Sequence, residues 1–173
     1  MSIAQSLIAE FEAQAPVTRR FLERLPEDKL AWKPHEKSMS AGQLGLHLAR
    51  VPGGVAQAAQ QNSMPAPEFN NIPQPSGLPE ILSTFDESVA TVRKILPQFD
   101  DAKMRETWRM VQGDKEVLAM PRAEFLRNIM LNHWYQHRGQ FSVYLRLLGV
   151  AVPSSWGPSA DEPPSFMRKK QSA

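Results

Sequence analysis

Four stretches of this chain set apolar residues three and four apart, and serines, prolines or glycines punctuate them. That spacing stacks apolar side chains on one face of a helix, and faces of that kind become buried by packing against one another. The expected fold is therefore all-α, most simply a four-helix bundle in a single domain spanning residues 1–173. Ser2 opens the first helix, with Gln5 three residues on completing a capping box. Ile3, Leu7, Phe11, Phe21, Leu22 and Leu25 give its face, and Pro26 closes it. Pro16 falls inside the pattern and predicts a kink or a split. Glu27 to Met39, short, polar and broken by Pro34, reads as a connection. Ser40 and Gln43 repeat the capping signal. Leu44, His47, Leu48 and Val51 follow at i, i+3, i+4 and i+7, which puts His47 among inward-facing residues. Pro52-Gly53-Gly54 interrupts the pattern, and Val55 to Gln61 can resume it.

From Ser63 to Gly77 the chain carries Pro65, Pro67, Pro73 and Pro75 and reads as an extended loop, long enough to suggest a functional role. A third helix should begin near Pro79, run through Ile81, Leu82, Phe85, Val89, Val92 and Leu96, and stop at Pro97. Between 107 and 119, Trp108, Met110, Val117 and Ala119 flank Gln112-Gly113-Asp114, which predicts a small hairpin or an irregular excursion. The last helix runs from Pro121 to Gly149, its C-terminal cap. It is apolar on more than one face, so it should lie centrally or contact a second subunit. Residues 150–173 form a Pro- and Ser-rich tail.

Composition narrows the function classes. Of 173 residues, 42% are hydrophobic and 22% charged, which suits a globular protein and not a disordered one. The chain contains no cysteine, so disulfides, thiolate metal sites and a cysteine nucleophile are excluded. Net charge is +2, and the one dense basic run is Arg168-Lys169-Lys170; nucleic-acid binding would want a stronger basic face. No apolar run approaches the roughly 20 residues of a membrane span. The N-terminus lacks the plan of a signal peptide, so a cytoplasmic location is expected.

The histidines carry the chemistry. His133 and His137 lie four apart in Asn132-His133-Trp134-Tyr135-Gln136-His137-Arg138-Gly139-Gln140, which places both imidazoles on one helix face as a pincer for a metal ion. His47, from a facing helix, would complete a three-histidine site with coordination positions left open for water or substrate. The alternative for each is a packed histidine with one hydrogen bond. Trp134 stands where a zincin protease needs glutamate. No nucleophile elbow, phosphate loop or dinucleotide fingerprint is present. His35 reads as solvent-exposed. Trp32, Trp108, Trp134 and Trp156 read as core or interface residues. Tyr135 and Tyr144 could donate into a cavity. Arg138 reads as a salt bridge or bundle-end contact ahead of an anion-binding role.

The ordered segments Leu25-Pro26-Glu27-Asp28-Lys29-Leu30-Ala31-Trp32-Lys33-Pro34, Ser38 to Leu48, Asn132 to Gln140, Leu148 to Pro153 and Trp156 to Glu162 together resemble the DinB family of DinB/YfiT-like metalloenzymes. The resemblance runs over nearly the whole chain. It implies an up-down-down-up four-helix bundle, often a homodimer, and a divalent metal, commonly zinc or nickel. The family's three histidine ligands fall on His47, His133 and His137. Relatives include S-transferases that use low-molecular-weight thiols and a mycothiol-dependent maleylpyruvate isomerase. Pro52-Gly53-Gly54, just after the first ligand, departs from a regular helix. The expected function is metal-dependent thiol transfer or hydrolysis on a small-molecule substrate, with no nucleic-acid or membrane partner. The alternative is a metal-binding or stress-response helical dimer without turnover. A general acid or base is not assignable; Asp86, Asp161 and Glu162 are the carboxylates considered.

Overall fold

Both capping boxes form. In the computed structural model, which describes residues 1–67, 72–164 and 167, Ser2 Oγ accepts the Gln5 N–H at 3.2 Å and Gln5 Oε1 accepts the Ser2 N–H at 2.9 Å. This pair opens α1 (Ile3–Leu22). Ser40 and Gln43 do the same at 3.1 and 2.9 Å and open α2 (Ala41–Ala58). After β1 (Ser63–Pro65), α3 (Leu78–Ile95) carries Pro79 in its first turn. α4 (Asp101–Arg105) is capped by Asp100, whose side chain accepts the Lys103 N–H at 2.7 Å. β2 (Thr107–Gln112) and β3 (Lys115–Pro121) lead into α5 (Arg122–Phe125), a π-helical stretch Leu126–Asn132, and α6 (His133–Leu147). Gly149, at φ 73°, ends α6. Its N–H donates to Arg146 O at 3.0 Å, and Val150 N–H reaches Leu145 O at 2.9 Å, the two bonds of a Schellman turn. The Arg168-Lys169-Lys170 run and residues 68–71 of the Pro-rich loop lie outside the described residues.

The chain is mostly helical but not all-α. β1, within the loop read as merely extended, pairs in parallel with β2, Ser63 opposite Arg109 and Pro65 opposite Val111. β2 and β3 form the expected hairpin, with an irregularity between Met110 and Val111. Trp108 of β2 is fully buried, stacks on Phe125 with centroids 3.6 Å apart, and donates its indole N–H to Ala58 O at 3.1 Å. Arg122 fastens the same end of α2. Fully buried, it donates to Ala59 O at 2.7 Å, Gln61 O at 3.1 Å and Lys103 O at 2.7 Å. One guanidinium thus joins carbonyls at and just beyond the end of α2 to one at the end of α4.

Neither helix is split at its proline. α1 continues through Pro16, which sits on its exposed side, where water can serve the carbonyl that lost its donor. α2 continues through buried Pro52. Pro52 has no N–H for Leu48 O, four residues back, and the buried Trp134 indole supplies one at 2.9 Å. Gly53 N–H donates to Ser88 Oγ at 2.7 Å. A Cβ on Gly53 would fall 2.8 Å from Ser88 Cα, so glycine there lets α2 and α3 approach closely.

Trp134 is also the centre of the core. Phe11 of α1 and Phe85 of α3 lie against it with centroids at 5.5 and 6.3 Å. With its bond to Leu48 O, one side chain of α6 engages α1, α2 and α3. The C-terminal segment folds back over the helices. Asp161 accepts the Val152 N–H at 2.8 Å and pairs with Arg146; Glu162 accepts the Ser154 N–H at 3.1 Å and pairs with Arg20 of α1. Among the described residues, no helix is long and apolar enough to cross a membrane.

Candidate metal centre

The π-helical turn sets the face that α6 inherits. His133 N–H bonds to Asn128 O, five residues back. In a regular α-helix those residues would stand roughly 140° apart, whereas an i→i+5 turn brings them to one side. Asn128, Asn132, His133 and Gln136 accordingly line one cavity. π turns are frequent at functional sites.

The three imidazoles converge. Each of His47, His133 and His137 offers a ring nitrogen within 4.8 Å of the others. Ring centroids are 5.3 Å apart for His47–His133, 4.6 Å for His47–His137 and 4.4 Å for His133–His137. Trp134, next to His133, binds Leu48 O, next to His47, and so ties the two histidine-bearing helices together beside the cluster. Burial, then the neighbouring His137 and His133 rings, holds His47 down to about 4. Burial and His137 also hold His133 below its ordinary value, against the favourable pull of the Ile129 carbonyl one turn back. Both rings are therefore neutral at pH 7, the form that ligates metal.

Their hydrogen bonds are incomplete in an informative way. Gln140 Oε1 lies 2.9 Å from His137 Nδ1, so that nitrogen carries the proton and Nε2 presents a lone pair. His137 Nε2 is 2.7 Å from His133 Nε2. A proton on His133 Nε2 would bridge the two and leave His133 Nδ1 an acceptor, yet Nδ1 is buried without a donor. A proton on His133 Nδ1, facing the Ile129 carbonyl, would instead set two lone pairs against each other, which a cation relieves. His47 Nε2 is likewise buried and unpaired. Unpaired buried nitrogens are costly unless something binds them. Three converging imidazoles, two of them with such nitrogens, fit a divalent ion of borderline softness.

The cavity beside the cluster holds about 670 Å³, within the range of small-molecule sites. His47 and His133 line it, with Ile72, Pro73 and Met110 as apolar wall and Arg50 as a charged lining residue. The Pro-rich loop and β2 thus form part of its lining.

Other residues singled out in the sequence lie elsewhere. His35 is exposed, its Nδ1 accepting the Lys37 N–H at 3.2 Å. Trp108 and Trp134 are core, Trp32 packs edge-on against Tyr144, and Trp156 is exposed beside Tyr135. Neither tyrosine serves the cavity: Tyr135 donates to Glu10 at 3.0 Å and Tyr144 to Met39 O at 3.2 Å. Arg138 is buried but makes no salt bridge among the described residues. It donates to Gln14 Oε1 at 2.8 Å and Thr18 Oγ1 at 3.2 Å under the Tyr135 ring, and burial pulls it down to about 10. Asp86 pairs with Arg19, Asp161 with Arg146 and Glu162 with Arg20, all away from the described cavity lining. The sequence reading missed Gln140 and Arg50, although each stands three residues after a site histidine and so on a neighbouring face position.

Residues 1–164 match the profile of the DinB family. The uncharacterized protein YrdA of Bacillus subtilis strain 168 is 26% identical over 155 residues, covering 88% of this chain and 86% of its own length. Crystal structures of a DinB-like protein from Bacillus cereus ATCC 10987 and of the DinB-like YjoA from Bacillus subtilis share the fold, each at a TM-score of 0.66. The first is 17% identical and covers 87% of this chain and 95% of its own; the second is 21% identical and covers 86% and 96%. A profile match over nearly the whole length, joined to a shared fold, gives the assignment: this chain is a member of the DinB family.

Proposed function

We propose that this protein is a metal-dependent enzyme acting on a small molecule, by thiol transfer or hydrolysis. Its ligands are His47, His133 and His137, its metal zinc or nickel. Convergence of the three imidazoles beside a cavity of about 670 Å³ carries the reading, because a site for storage or structure needs no such space. A divalent ion bound there supplies Lewis acidity that lowers the pKa of an adjacent water or thiol. The chain's own part is to aim and shelter. Gln140 fixes the His137 tautomer, Trp134 holds α6 to α2, and the apolar wall limits water around a bound substrate. The same proposal takes the four long helices as an up-down-down-up bundle in one domain, cytoplasmic and paired as a homodimer. Val143 and Leu147, 56% and 60% exposed on successive turns of α6, support the pairing.

Metal analysis of freshly purified protein tests the site. The expected result is about one ion per chain, lost in His137→Ala, with a melting temperature that falls in chelator. Substoichiometric metal and an unmoved melting temperature would mean packed histidines and overturn the proposal. Conjugation of low-molecular-weight thiols to electrophiles, together with ester and amide hydrolysis, should then be detectable in the native chain and absent from His137→Ala. Full metal with no turnover on any such substrate would favour the non-catalytic dimer.

A further inference from the structure

The cavity carries one permanent cation among its described lining residues, Arg50, and no carboxylate. Arg50 lies three residues after His47 on α2, so the two share a helix side, about 4.5 Å apart along the axis. A guanidinium offers five N–H donors in a planar fork that matches a carboxylate. Those of Arg50 are poorly used. Its ion-pair contact among the described residues is Glu80 Oε1 at 3.9 Å, beyond hydrogen-bond reach. The other Glu80 oxygen is committed to Ser76, accepting its N–H at 2.7 Å and its hydroxyl at 2.8 Å. Asn128 and Asn132 of the π-helical stretch and Gln136 of α6 also line the cavity as a row of amides four residues apart. Such a row can bond hydroxyl or amide groups but does not neutralise charge.

We infer that the cavity selects substrates bearing a carboxylate, bound by Arg50, with an apolar body against Ile72, Pro73 and Met110 and the reacting group beside His47 and His133. A phosphate is the poorer match. It would want a second cation or a ring of backbone donors, and the described lining residues include one cation only. The inference rests on the cavity being the substrate site of the proposed enzyme, but the anion contact itself needs no metal.

Binding of a matched probe pair, 3-phenylpropionate and its neutral amide 3-phenylpropionamide, tests it by titration calorimetry on the full chain, metal-loaded and chelator-treated. The carboxylate should bind at least about tenfold more tightly than the amide in both preparations, the size of one charge-assisted contact. Arg50→Met should bring the two probes to equal affinity. Arg50→Lys, which keeps the charge and loses the fork, should retain part of the preference. Arg50 is exposed on α2, and an unchanged melting temperature of each variant checks the fold. Preference that disappears on chelation would place the carboxylate on the metal and overturn the role of Arg50 while sparing the metal site. Preference that persists, and depends on Arg50, in a protein that holds no metal would keep the anion subsite and sink the enzyme reading instead. Equal affinities in the native chain, no binding of either probe up to about 10 mM, or stronger competition by inorganic phosphate would each overturn the inference.

Discussion

Gln140 acts on the site without reaching it. Its Oε1 accepts the His137 Nδ1–H at 2.9 Å, which turns the other nitrogen toward the cluster. Outer partners of this kind hold ring orientation and ligand basicity, and losing one costs on the order of 10–100-fold in metal affinity. Gln140→Ala should therefore weaken metal binding by that factor in competition with a chromophoric chelator, and unchanged affinity would show that the tautomer is held by something else. The histidines also give the metal-free protein a pH dependence. Because His47 is held down to about 4 and His133 is shifted the same way, the unfolded chain takes up protons below about 6.5 that the native rings refuse. Stability is thus complete above pH about 6.5 and lost progressively as pH falls toward 4. Urea midpoints of chelator-treated protein should be lower at pH 5 than at pH 7.5, and His47→Gln should shrink that difference. Asp161 and Glu106, held below their ordinary values chiefly by Arg146 and Lys103, lose their share only at more acid pH.

α2 shows how tertiary contacts overrule a local breaker. Pro52-Gly53-Gly54 reads as an interruption because the chain alone offers Leu48 O no donor and makes each glycine costly. The missing information was the Trp134 N–H, 86 residues away in sequence, and Ser88 across the α2–α3 contact. Trp134→Phe should cost about 1–3 kcal/mol by leaving a buried carbonyl unpaired. In a Pro52→Ala background, where the helix can supply the N–H itself, the same change should cost less; purely additive effects in urea denaturation would mean that the indole does not replace the missing donor. The two glycines should part company. Gly53→Ala drives a methyl against Ser88 Cα and should destabilise by about 1–3 kcal/mol. Gly54→Ala meets nothing within 4 Å and should stabilise by up to about 1 kcal/mol through helix propensity. Capping boxes, the hairpin and the histidine spacing were legible because each is a local pattern. β1 was not, since three residues show no period and its partner strand lies more than forty residues on. The π turn likewise left no local signature to read.

Over the whole molecule, the proposed pairing of two chains through α6 makes a testable surface. Val143 and Leu147 stand exposed one turn apart, and carboxylates there would oppose their own copies across a two-fold interface. Val143→Glu combined with Leu147→Glu should sediment as a monomer where the native chain sediments as a dimer; a surviving dimer would move the interface elsewhere. At this scale the convergence of His47 with His133 and His137 was legible, because helical spacing and apolar faces decide it. The cavity was not, because Arg50, the amide row and the Pro-rich loop meet only once distant segments pack. The central place of Trp134 bears on how the protein is born. The indole against which Phe11 and Phe85 settle is synthesised well after both of them, so the early helices wait on the order of ten seconds for it at ordinary translation rates. Until then the parts of those apolar faces that meet the indole lack their native partner, and the imidazole cluster assembles only as the last helix emerges.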